Sequence, residues 1–268
     1  MQAESSEDAG MNSVNNPYGQ AAETLMMRCP VCDSDASETL GITGAMDRSL
    51  GATVVMCCDE CHTVYLAPPP ADGAACAYDW ETAYGPAIGK MKQDVAANAR
   101  VFSADSRPES VFARDPDTER FDRVLLPLSM ESTSDPDKLM ARAARLLDAG
   151  GQLDVLVGNN ASWCFKIFGG RHWFGYRYPE ARQFFGLDGI TRLAESQHLA
   201  IVSHDTLPAI EGWRMSVRNW LQDWAAGRWV VTLMTGRWFL PWLVMSLIEM
   251  IAAARGRAAV LVVSLRKD

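Results

Sequence analysis

The sequence has no uninterrupted apolar run near the roughly 18 residues that cross a bilayer. The nearest approach, Trp238–Ile248, stops at Glu249. The N-terminus, MQAESSEDAGMNSVNNPYGQ, lacks the apolar core of a signal peptide and is polar and acidic, so residues 1–25 are expected to be a disordered tail. Histidine is scarce, with four in 268 residues. Basic residues are almost missing from positions 1–80, where twelve acidic side chains face only Arg28 and Arg48. A protein that grips a phosphate backbone needs a positive face, so no nucleic acid partner is expected. A disulfide framework is also excluded, because the seven cysteines are odd in number and four fall into two CxxC pairs. That usage points to metal in a reducing compartment, expected to be the cytoplasm.

The two pairs are Cys29-Pro-Val-Cys32 and Cys58-Asp-Glu-Cys61. Four thiolates on two tight turns can close a tetrahedron round Zn2+, and such a closed shell leaves no position for catalysis. The expected metal ligands are therefore Cys29, Cys32, Cys58 and Cys61, holding a structural zinc. Thr53–Met56 and Thr63–Leu66 read as the two strands of a hairpin whose turn is the second knuckle. Residues 29–66 hold too few apolar side chains for a core of their own, so the metal is expected to supply most of their folding free energy. Cys57 rivals Cys58 but would make a looser CxxxC knuckle. Cys76 and Cys164 stand alone and read as small, largely buried residues. His62 occupies a place where such knuckles commonly carry glycine, and reads as an exposed turn residue with a spare ligand as the alternative.

From Phe121 the pattern becomes α/β. Phe121-Asp-Arg-Val-Leu-Leu is a buried strand, and Asp135–Leu147 is a helix with Leu139, Ala143, Leu146 and Leu147 on one face. Asp135 can cap it with Pro136 at its first position, and Gly150-Gly151 lies beyond its end. Strands follow at Gln152–Val157, Leu199–His204 and Ala258–Leu265, with a helix over Leu187–Gln197. Strands alternating with helices imply a mostly parallel sheet.

The order of these segments resembles the class I S-adenosylmethionine-dependent methyltransferases, specifically the bacterial group with an N-terminal zinc ribbon. The matching segments are CPVC, CDECHTVYLAPP, FDRVLL, MESTSDP, ARAARLL, DAGGQLDV, GNNASWCFKIFGGRHW and VLVVSLRK. They cover about residues 27–70 and 100–268. The resemblance implies an α/β, Rossmann-like domain that binds S-adenosylmethionine at the head of its sheet.

The chain departs from that group where the cofactor would sit. The family's first strand runs into a glycine-rich turn whose amides meet the cofactor. Between Pro70 and Phe121 the only glycines are Gly73, Gly85 and Gly89, and none follows a strand pattern. Two βα units do not fit in that interval, so the domain is expected to lack its first two strands, with Ala99–Ala104 standing for the third. Asp105 could then take the place of the family's ribose-binding acid. The family's Glu-His is Glu131-Ser132 here, and its Pro-Arg-His is Pro179-Glu180-Ala181. The histidines left are His172, beside Trp173 in the segment covering the family's substrate cleft, and His198 and His204, read as structural. Without the first strand, the outer side of Phe121–Leu126 needs a cover. Ala99–Ala104 paired in parallel is the preferred one and a homodimer the second, with the helical stretch Ile88–Ala99 as a further candidate.

Eight of the nine tryptophans lie between Trp163 and Trp242. Trp213, Val217, Trp220, Leu221 and Trp224 repeat at helical spacing, Gly227 can end that helix, and a second helix runs from about Trp238 to Ala254. Residues 161–268 carry thirteen Lys and Arg against eight acids, the reverse of the N-terminal region. The two helices read as an insertion between adjacent strands. They are expected to pack on the sheet or to present residues 211–254 to a partner protein or a membrane surface.

The organisation expected is thus a tail over 1–25, a zinc ribbon over 26–70 and a truncated methyltransferase-like α/β domain over 71–268, with an aromatic helical insertion at 207–257. The expected function is that of a catalytically degenerate scaffold or partner subunit without S-adenosylmethionine. The alternative is an active methyltransferase with a non-standard or shared cofactor site. No catalytic residue is assigned.

Overall fold

The computed structural model describes residues 28–43, 53–70, 80–104, 107–223 and 239–267. Asp105, Cys76, Trp224 and Gly227 lie outside them. In the N-terminal region β1 (Ser37–Thr43), β2 (Thr53–Cys58) and β3 (Val64–Ala67) form an antiparallel meander. Its fourth strand comes from far along the chain, because β7 (Gln183–Phe184) pairs with β3 through Val64 and Tyr65. The hairpin round the second knuckle is as expected, while β1 and β7 are additions.

The second sheet has five strands in the order β4 (Val101–Ser103), β5 (Phe121–Pro127), β6 (Leu147–Gly158), β9 (Val260–Lys267), β8 (Leu199–Leu207). β4, β5 and β6 are parallel neighbours, and β9 runs antiparallel to both β6 and β8. Four of five strands therefore point the same way in a mixed sheet, and the domain is α/β.

Local chemistry explains most boundaries. Asp135 caps α4 (Pro136–Arg145) by accepting from the Lys138 amide at 3.0 Å, and Pro136 starts the helix without needing a donor. α4 ends at Arg145, short of the glycines, and Gly150 takes a left-handed φ of 72° inside β6. α4 and α6 (Leu187–Ser196) lay Leu139, Met140, Ile190 and Leu193 on one sheet face, against Val124, Leu126, Val155 and Val263. The opposite face is larger. There α1 (Trp80–Gln93), α7 (Ile210–Asp223) and α8 (Phe239–Ala254) bring Tyr84, Trp213 and Met245 to Leu125, Leu156 and Val260. Val55, Val64 and Leu66 of the ribbon hairpin belong to that same core, so the hairpin is anchored by packing as well as by its cysteines. The remaining helices are short: α2 (Glu109–Phe112), α3 (Ser129–Ser132) and α5 (Trp163–Phe168).

β4 takes the place that the truncation argument assigns to it. Val101, Phe102 and Ser103 lie in parallel beside Arg123, Val124 and Leu125, and so cover the side of β5 that a second copy would otherwise have to cover. β8 and β9 are direct neighbours, with α7 and α8 between them in sequence. Trp213 and Leu221 are buried, but Trp220 turns outward.

Candidate functional site

Cys29 and Cys32 sit on a turn before β1, and Cys58 and Cys61 flank the turn from β2 to β3. The structure brings all four sulfurs within 4.8 Å of one another. Cys29–Cys61 and Cys32–Cys58 are each 3.5 Å apart, close to the edge of about 3.8 Å for a tetrahedron with 2.3 Å Zn–S bonds. Backbone amides point at the sulfurs: those of Val31 and Cys32 at Cys29, that of Ser34 at Cys32, and that of Thr63 at Cys61. Such N–H···S bonds stabilise thiolates, the form that binds metal. The hydrogen bond shared by Cys29 and Cys61, with burial, pushes the Cys29 thiol up. The same bond and those from Thr63 pull Cys61 down to about 4. The donor set, its spacing and its amide bonds fit a four-coordinate metal.

Each knuckle closes on a residue with left-handed backbone, Asp33 (φ 57°) and His62 (φ 54°). His62 stands outside the cysteine cluster and pairs with Asp188 through Nδ1 at 3.0 Å in solvent. Cys57 is outside the cluster too, bonded to the Cys58 carbonyl, and burial pushes its thiol up to about 11. Cys164 is buried, bonded to Ser216.

The heads of the parallel strands are where open α/β sheets bind ligands. Here protein side chains pack round the head of β6. β5 is followed by Leu128, a buried residue with φ 60° that caps α3, and α3 carries Glu131, which is fully buried. Glu131 accepts from Arg177 Nη2 at 2.8 Å and from the Gly158 amide at the head of β6. Arg177, itself buried and left-handed at φ 35°, reaches Glu180 with its other nitrogen at 3.1 Å. So Glu131 and Glu180, from the two segments that depart from the family pattern, meet on one arginine. Burial pushes Glu131 up to about 7 although Arg177 and the Gly158 amide pull it down. A Cβ on Gly158 would lie 2.8 Å from Tyr84 Oη, 3.1 Å from the Trp173 ring and 3.2 Å from Glu131 Oε1. Tyr84 comes from α1, and Trp173 is packed edge-on by Phe165, Tyr176 and Phe184. No methyl group fits at this point.

The chain after β4 reads Ala-Asp-Ser-Arg-Pro, without glycine, and Gly85 and Gly89 lie inside α1. A glycine turn of the kind whose amides meet the charged end of S-adenosylmethionine is not present in the sequence directly after β4. Of the remaining histidines, His172 donates its amide to Phe168 and accepts from Asn219 through its carbonyl, which are backbone roles. His198 and His204 are exposed, so the expectation of structural histidines is corrected: His198 ends α6 in left-handed backbone and His204 lies on edge strand β8. Sequence reasoning missed Arg177 and Tyr84. An arginine in Tyr-Arg-Tyr-Pro-Glu shows no periodicity, and only Glu180 three residues on hints at its pairing.

No protein-family model and no curated protein matches the sequence. Among solved structures, one similar chain is an S-adenosylmethionine-dependent methyltransferase from Thermotoga maritima, described as a possible histamine N-methyltransferase. It shows 12% identity and a TM-score of 0.41 over 70% of this chain and 93% of that one. Another is a putative methyltransferase from Bacillus halodurans, at 14% identity and TM-score 0.37 over 68% and 99%. A third is coclaurine N-methyltransferase bound to N-methylheliamine and SAH, at 12% and 0.36 over 73% and 77%.

Proposed function

We propose that this chain is a zinc-stapled, methyltransferase-like protein without a working cofactor site, acting as a scaffold or partner subunit. One observation carries the reading: the heads of β5 and β6 are closed by Tyr84, Trp173 and the Glu131–Arg177 pair, tightly enough that Gly158 has no room for a methyl group. Cys29, Cys32, Cys58 and Cys61 hold Zn2+ in a closed shell, which fixes the ribbon and supplies no open coordination position. Glu131 and Arg177 act as an internal strut, because a buried carboxylate satisfied by a guanidinium and an amide is not presented to a substrate. The test is titration of S-adenosylmethionine and S-adenosylhomocysteine into the zinc-loaded protein by calorimetry. No binding heat is expected. A dissociation constant in the micromolar range would sink the proposal and make the chain an active methyltransferase with a non-standard or shared site.

A further inference from the structure

α8 spans 16 residues, Phe239–Ala254. Its inward face is Met245, Glu249 and Ala252, all buried. Glu249 is the helix's only charged residue, and it is used up inside. It accepts from the Ala209 amide at 3.1 Å, the Ala259 amide at 2.7 Å and Trp213 Nε1 at 2.6 Å, and so ties α8 to α7 and to the start of β9. The outward face is then wholly apolar. Leu243, Leu247, Met250 and Ile251 recur at positions i, i+4, i+7 and i+8, with Val244 and Trp242 beside them, and Leu247 and Met250 are 57% and 65% exposed. Lone exposed leucines are ordinary, but a continuous stripe with no polar atom marks a contact surface.

The charge around the stripe selects the contact. α8 ends directly in exposed Arg255 and Arg257. The Arg255 guanidinium lies 5.5 Å over the ring of Trp163, and one turn further along α5 stands Ile167, 64% exposed, next to exposed Lys166. Exposed Arg255, Arg257 and Lys166 beside the stripe, on a chain of net charge -8, favour a negatively charged partner at this face. At 1.5 Å per residue α8 is about 24 Å long, short of the roughly 30 Å hydrocarbon core. No described helix is long and apolar enough to cross a membrane. An apolar stripe edged by Trp and Arg suits a helix lying in the plane of the headgroups.

We infer that the outer face of α8, with Arg255, Arg257 and Lys166 at its rim, docks the protein on an anionic bilayer surface. This does not depend on whether the chain binds S-adenosylmethionine. The experiment is co-sedimentation of the full zinc-loaded chain with vesicles of phosphatidylcholine alone or mixed equally with phosphatidylglycerol. Binding is expected to the mixed vesicles, weakened by salt. The double variant Leu247→Asp, Met250→Asp should lose more than about tenfold in binding, with circular dichroism and zinc content unchanged. Arg255→Gln should weaken binding about fivefold and leave less salt dependence. Failure of the wild type to sediment with phosphatidylglycerol vesicles overturns the inference, as does unchanged binding by the folded double variant. A wild-type dimer in ultracentrifugation that the double variant converts to monomer also overturns it, by making the stripe an interface between two copies. Should the double variant not fold, Arg255→Gln alone decides, since it leaves the packed face of α8 untouched.

Discussion

At the scale of single residues, Asp33 and His62 do the same task in the two knuckles. A left-handed backbone is tolerated better by Asp and His than by most side chains, and worst by β-branched ones. His62→Gly should keep full zinc content and change stability by less than about 1 kcal/mol, since only an exposed pair with Asp188 is lost. His62→Val should cost about 1–2 kcal/mol. Urea unfolding with metal analysis checks both, and loss of zinc in the glycine variant would make His62 a ligand after all. Glu131 gives a pH signature. Its pKa in the folded protein is raised from 4.5 to about 7, so between those values the native state holds a proton that the unfolded chain has released. Stability should therefore fall as pH rises from 4.5 to 7, by at most about 3 kcal/mol from this group. Glu131→Gln should flatten that slope relative to wild type while lowering stability overall by about 3 kcal/mol, because Arg177 loses its nearest partner. Denaturation midpoints of both proteins across this range, with zinc common to each, test it; equal slopes would contradict the buried-carboxyl account.

At the scale of elements, the ribbon is less independent than its sequence suggests. Residues 29–66 are poor in apolar side chains, but Val55, Val64 and Leu66 pack into the larger core and β7 adds a strand to β3. Chelation of zinc should consequently raise amide exchange at residues 28–34 and 58–62 while the β2–β3 pairing persists. Complete exchange through 53–67 would instead return the ribbon to dependence on metal alone. β7 was illegible because two residues carry no periodicity, and β1 because Gly41 and a register shift break its alternation. β5, α4, α6 and β9 were legible because buried runs, a capped helix start and amphipathic spacing are local signals. β4 was legible only by the need to cover β5, and it is thin protection. Its anchor is Phe102, stacked 5.6 Å from Phe121 with Arg114 over its ring. Phe102→Ala should cost about 3 kcal/mol and, by freeing the edge of β5, promote aggregation visible by light scattering. A soluble variant of wild-type stability would mean that β4 does not guard the sheet.

At the scale of the whole molecule, two things were readable from the sequence: four cysteines at metal spacing, and the alternation of strands and helices that makes the larger domain α/β. The structure adds what packs round the head of β6. Glu131 and Arg177 are 46 residues apart, Tyr84 arrives from α1 and Trp173 from the loop after α5, and no local pattern announces that they converge on Gly158. Glu249 was visible as the break in an apolar run, but its burial beneath α8 follows only from the position of α7 and β9. The central claim is that closed strand heads leave no room for a cofactor. It is tested most directly by residue-resolved hydrogen exchange of the zinc-loaded protein, with and without millimolar S-adenosylmethionine. The account predicts identical exchange at residues 101–104, 126–131 and 157–160. Added protection confined to those strand heads would contradict it.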